Sequence, residues 1–172
     1  MENQTNQPSP AGIMQIGTGF WASKILLSAI KFQLFSKLSE QKKMTGQDIK
    51  TSLNFKCTDR HLYDFLDALT VFGFLHREGL LETAVYSNTL NTDTFLDKNK
   101  PSYIGGILEM MNNRLYSFWG NLEDALLTGL PQNEAKKAED FFGLIYQDAN
   151  KLKEFINAMS GIQMGNFMAF AQ

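Results

Sequence analysis

Cysteine occurs once in these 172 residues, proline four times, and neither sign of charge is in real excess. Cys57 has no second thiol with which to close an internal disulfide or to build a thiolate metal set. The chain is therefore expected to work reduced, in the cytoplasm, with Cys57 an inert thiol and no metal centre. Sixteen basic residues against eighteen acidic ones give a net charge of -2, so a field able to hold phosphates exists only if the charges segregate by face. The opening "MENQTNQPSPAG" lacks the basic and apolar regions of a signal peptide and reads as a disordered tail over residues 1–12. No uninterrupted apolar run reaches the roughly 18 residues of a membrane span, so no membrane is expected.

What the chain does have is apolar mass. Hydrophobic residues make up 44% and phenylalanine alone contributes 14, enough for one sizeable core, or for a small domain with a helical extension. The stretch "FWASKILLSAIKFQLFSKL", Phe20 to Leu38, contains neither proline nor glycine. Helical stepping puts Trp21, Ile25, Phe32 and Phe35 on one side and spreads Leu26, Ile30, Leu34 and Leu38 around the other. Lys24 and Lys31 share only a narrow strip. A helix so apolar all round needs burial on more than one face, which predicts packing on its own domain and on a second copy of the chain, or on a missing domain.

Thr45 then reads as an N-cap with Asp48 three residues later, and Thr58 as the cap of a helix that carries Asp59 in its first turn. Leu62, Phe65, Leu66, Leu69 and Phe72 form a buried stripe that ends at Gly73. "FLHR", a turn at Glu78 and Gly79, and "LLETAVY" predict a β-hairpin. Helix, short helix, helix, hairpin is the order of a winged helix. Residues 87–101 read as a polar connector. Three further helices are expected, over about 102–127, about 135–146, and from near Asp148 with Leu152, Phe155, Ile156 and Met159 on one face. The fold class is thus mainly α: a winged-helix-like domain over 13–95 with one β-hairpin wing, followed by a helical extension over 96–172.

A winged helix that reads DNA offers basic and amide side chains from its second helix to the major groove. Here the face opposite the buried stripe carries Arg60, Tyr63, Asp64, Asp67 and Val71, with Asp59 at its tip. Carboxylates in that position repel phosphates where a binder should release counterions, so no nucleic acid is expected.

These stretches together resemble the N-terminal, non-catalytic half of the S-adenosylmethionine-dependent O-methyltransferases. The likeness lies in the apolar first helix with "MTGQDIKTSL", "LYDFLDALTVFGFL" and "VYSNT", similar to that family's winged-helix dimerisation domain. "SFWGNLEDALLTGLP" and "DFFGLIYQDANKLKEFINAMSG" carry it further, so that about residues 16–165 are covered. The resemblance implies a homodimer held through the first helix, with Trp21, Ile25, Phe32 and Phe35 in the interface. It also implies a small, flat, natural-product-like hydroxyl acceptor against a wall of Met111, Leu115, Trp119, Phe142, Phe155, Met159 and Ile162. A Met and aromatic lining is polarizable and adaptable. Asn112 and Asn113 are candidates for a polar contact.

The likeness stops before the family's cofactor domain. That Rossmann domain opens with a glycine-rich strand, turn and helix, and Gly105–Gly106, Gly161 and Gly165 have no such context. The family's general-base histidine belongs to the same half, and His61 and His76 lie in the winged-helix part. The expectation is a chain with no catalytic residue of its own, whose partner is a catalytic C-terminal domain missing from it. A winged-helix regulator and a standalone dimeric binding module remain alternatives. If the resemblance holds, S-adenosylmethionine added to the chain is expected to give no saturable rise in melting temperature; a rise that saturates contradicts it.

Overall fold

The computed structural model describes residues 7–134 and 141–170. Helix α1 runs Ala11–Lys31, so it begins within the stretch expected as a tail, of which residues 1–6 lie outside the described residues. Gly12, Gly17 and Gly19 interrupt the apolar run without adding charge. Thr18 and Ser23 satisfy their hydroxyls on the carbonyls of Met14 and Gly19, at 2.8 and 3.2 Å. The helix therefore continues upstream of Phe20. By length and apolar composition alone it meets the minimum for a membrane crossing, a test that the core helix of a soluble protein passes as well.

The helix expected to continue to Leu38 breaks at Phe32–Gln33. Gln33 takes a left-handed conformation, φ 56°, before α2, Leu34–Gln41. The break turns Leu34, Phe35 and Leu38 into a core shared with Ile30, Ile49, Leu62, Leu66, Leu69, Leu75 and Tyr86. Trp21 and Phe32 stay outside, 60% and 45% exposed, whereas Phe35 is fully buried. Phe35 is thus a core residue of its own chain and not on the face that a partner would meet.

The caps follow the sequence. Thr45 forms a full capping box with Asp48 on α3, Gly46–Ser52. Thr58 accepts from the backbone N–H of His61 on α4, Asp59–Val71. In α4 the stripe is Leu62, Leu66 and Leu69, with Phe65 half-buried and Phe72 exposed past the helix end. Gly73 turns the chain at φ +75°, a conformation that needs no Cβ.

The hairpin differs from expectation in its loop and its neighbour. β2, Leu75–Glu78, pairs with β3, Val85–Asn88, across a loop that holds a 3₁₀ turn at Leu81–Thr83. "LLET" is therefore loop and not strand. Leu80 and Leu81 stand exposed at its tip. β1, Met44–Thr45, adds a third strand on the other edge, giving the antiparallel order β1-β3-β2. A two-residue strand has too little pattern to be read from sequence. The expected connector 87–101 is likewise structured: Thr89 and Thr92 build a second capping box on α5, Leu90–Phe95.

Beyond it, α6, Gly105–Met110, passes into a π-turn at Met111–Leu115 and on into α7, Tyr116–Trp119. The chain breaks at Gly120–Asn121 before α8, Leu122–Thr128. α9 spans Phe141–Tyr146; the first part of that expected helix, 135–140, lies outside the described residues. α10, Ala149–Phe170, starts behind Asp148, whose carboxylate accepts from Asn150 and Lys151, and continues through the "SGIQMG" expected to end it. α10 packs on α6. Gly106 lets the two approach, since a Cβ there would sit 2.8 Å from the Asn157 carbonyl oxygen.

Two outcomes test this core. Leu66→Ala at a fully buried position is expected to cost about 2–5 kcal/mol, seen as a lower urea midpoint with unchanged slope. Tyr86 donates to Asp67 at 3.2 Å, and burial first, then the Asp67 charge, pushes its phenol up to about 12. An unfolded tyrosine titrates near about 10, so this stabilisation is whole below that pH and is lost as pH rises through the folded value. Denaturant midpoints measured across that window should fall less steeply for Tyr86→Phe than for the parent.

Candidate functional site

A groove of about 480 Å³ lies between α1 and the α6 to α7 segment. Phe20, Ser23 and Leu27 form one wall; Met111, Leu115, Tyr116, Trp119 and Gly120 form the other. Its size lies in the range of small-molecule sites, and its lining is apolar and aromatic with few polar groups. Lys24 straps the walls together: its Nζ donates to Asn112 Oδ1 at 2.7 Å and lies 4.8 Å from the centre of the Tyr116 ring, a cation over an aromatic face. Of the residues expected on an acceptor wall, Met111, Leu115 and Trp119 meet here. Phe142, Phe155, Met159 and Ile162 do not line this groove. Phe155 and Met159 are half-buried on α10, and Phe142 and Ile162 are exposed, 56% and 47%.

Phe20, Ser23, Leu27 and Tyr116 had no place among the sequence candidates. Nothing in the local pattern pairs α1 with a segment almost ninety residues away, and only the tertiary packing of α1 on α6 and the π-turn reveals it. The same packing settles the two asparagines. Asn112 faces Lys24, and Asn113 donates to Glu154 Oε1 at 2.8 Å.

A second, shallower groove of about 360 Å³ lies between α1, the 55–57 loop and α4. Phe32 and Phe55 meet edge to face, ring centres 4.7 Å apart, and Phe55 continues to Phe65 at 6.5 Å. Ile25 lines this groove too, so of the expected interface residues Ile25 and Phe32 border one apolar surface, with Trp21 exposed on the same helix. Cys57 and His61 sit at its rim, and among the described residues no cluster of metal-ligating side chains occurs.

The outward face of α4 stays acidic. Asp59 is bound by Lys50 at 2.6 Å, Asp64 lies 3.8 Å from Arg60, and Asp67 is gripped by Arg77 at 2.6 Å. Lys50, Arg60 and Arg77 beside that face are thus each matched with a carboxylate. Tyr63, expected on this face, turns inward so that its hydroxyl is buried, with its ring above Gly46. The two strand-to-helix junctions, ahead of α3 and α5, carry capping boxes in which Thr45 and Thr92, Asp48 and Thr89 already engage the N-terminal N–H groups.

Over 165 residues the chain is 32% identical to the tetracenomycin polyketide synthesis 8-O-methyl transferase TcmO of Streptomyces glaucescens, covering 96% of this chain and 46% of that protein. It is 27% identical over 139 residues to the S-adenosyl-L-methionine-dependent methyl transferase PigF of a Serratia strain, covering 80% and 38%. Human N-acetylserotonin methyltransferase, solved in complex with SAM, superposes with a TM-score of 0.80 at 20% identity, over 94% of this chain and 48% of that one. The chain thus spans less than half the length of these relatives. A family model described as O-methyltransferase dimerisation domain matches residues 14–98, the segment that holds most of α1, the three-stranded sheet and the aromatic groove. Residues 14–98 of this chain belong to the O-methyltransferase dimerisation domain family.

Proposed function

We propose that the chain provides the dimerisation and acceptor-binding portion of an S-adenosylmethionine-dependent O-methyltransferase, working as a cytoplasmic homodimer on a small, flat hydroxyl acceptor. The winged-helix reading of α2 to β3 belongs to the same proposal. The observation that carries it is the α1 groove of Phe20, Met111, Leu115, Tyr116 and Trp119, joined to a segment of the dimerisation family. In this reading S-adenosylmethionine supplies the activated methyl group, and this chain acts on the acceptor side.

Methyl transfer requires the acceptor oxygen to be held in line and kept from water. Aromatic walls suit that task because they grip a planar ring by its faces while excluding solvent. Lys24, anchored on Asn112 and Tyr116, fixes the width of the groove. The likeness to TcmO and to N-acetylserotonin methyltransferase, whose names state O-methyl transfer in the first case and a bound SAM in the second, supports this chemistry for the whole protein.

Dimerisation is supported by the exposure of α1. Ile13, Met14, Ile16, Phe20 and Trp21 all stand more than half exposed on it, an apolar surface of the kind that marks an interface. Sedimentation equilibrium is expected to return twice the 19.5 kDa chain mass. Trp21→Asp and Phe32→Asp should each shift the chain to monomer while far-UV dichroism stays unchanged. Folded dimers from both variants would place the interface elsewhere. Phe35→Asp is unsuitable here, because it buries a charge in the core.

A further inference from the structure

The π-turn at Met111–Leu115 stands exactly where the groove residues need it. Met111, Leu115 and Trp119 follow one another at intervals of four. In a regular helix those eight residues overshoot two turns by about 80°, which would carry Trp119 around the side. A π-turn, bonded i to i+5, is wider and takes back part of that overshoot. All three side chains therefore line one wall.

A π-turn is an uncommon conformation and needs something to hold it. Within this turn lies Arg114, with its side chain only 10% exposed. Its Nε donates to Glu134 Oε1 at 3.1 Å and its Nη2 to Glu134 Oε2 at 2.6 Å, a two-pronged grip. Its Nη1 is buried without a hydrogen bond, 3.8 Å from Glu154 Oε2. Glu154 in turn accepts from Asn113, and Lys151 lies 3.7 Å from Glu134. The Arg114 hydrogen bonds hold the Glu134 carboxyl below the usual carboxylate range.

A guanidinium so buried is tolerated only while its carboxylates stay in place. Tightening the turn to α would rotate Arg114 away from Glu134 and Glu154. We infer that Arg114 is a positioning residue for the groove: gripped by Glu134 and flanked by Glu154, it keeps the π-turn open and so sets Met111, Leu115 and Trp119 in line. The inference rests on reading that groove as the acceptor wall.

The test uses the full chain carrying Trp21→Phe, which leaves Trp119 as the one remaining tryptophan of the two. 1-Naphthol is titrated while Trp119 fluorescence is followed, well below the melting temperature. The expected result is saturable quenching in this background and about tenfold weaker affinity in Arg114→Lys and in Glu134→Gln. Lysine keeps the charge but loses the fork; Glu134→Gln keeps the shape but loses the charge. If both variants merely melt earlier and bind naphthol as the parent does, Arg114 is a structural residue and the inference is overturned. If naphthol fails to quench the parent, the acceptor reading of the groove falls, and hydrogen exchange over residues 111–116 decides the rest. Faster exchange in Arg114→Lys sustains the role in holding the turn, and unchanged protection removes it.

Discussion

The left-handed turn at Gln33 is the constraint on which the rest of the chain depends. A continuous helix from Phe20 to Leu38 would present Phe35 with Trp21 and Phe32 on one surface and leave the small domain without its central ring. The break ends α1 and restarts the chain as α2 in a new direction, so that Leu34, Phe35 and Leu38 enter the core. The sheet, α4 and α5 then close around them. α1 is released from that core along most of its length and becomes available to two other surfaces.

Those surfaces divide the work of the helix. Toward the C-terminal part, Phe20, Ser23 and Leu27 line one groove; toward α4, Ile25, Ser28 and Phe32 line another. Few residues of α1 are fully buried: Leu27, Ala29 and Ile30. An apolar helix so sparsely covered by its own chain is costly in water, and it lies largely within the segment that matches the dimerisation family.

Local chemistry was legible in the sequence and tertiary chemistry was not. The Thr45 and Thr58 caps, the Leu62, Leu66 and Leu69 stripe and the Gly73 stop each depend on residues within a turn or two, and each appears as read. The break at Gln33 escaped because neither glycine nor proline marks it. β1 escaped because two residues carry no period, and α5 because its capping box is made of two threonines rather than of threonine with an acid. In the groove, Met111, Leu115 and Trp119 were legible as a run of large apolar residues. Their opposite wall on α1 was not, since it is brought there by packing. The π-turn that aligns the three leaves no mark in the residue pattern, and Arg114, its one buried cation, reads in sequence as an ordinary surface residue.

Lys24 joins these observations in a further way. It projects from the helix that meets a second copy in the dimer proposed above, and its ammonium is fixed on Asn112 and Tyr116 beside the groove. Under that proposal, a rotation of α1 on association would change the width of the groove, and a ligand that wedges the groove apart would act back on α1. In thermodynamic terms the two binding events share one coupling free energy, of equal size in both directions. For such a dimer, affinity for a small molecule would become a function of protein concentration, and dilution alone would alter it.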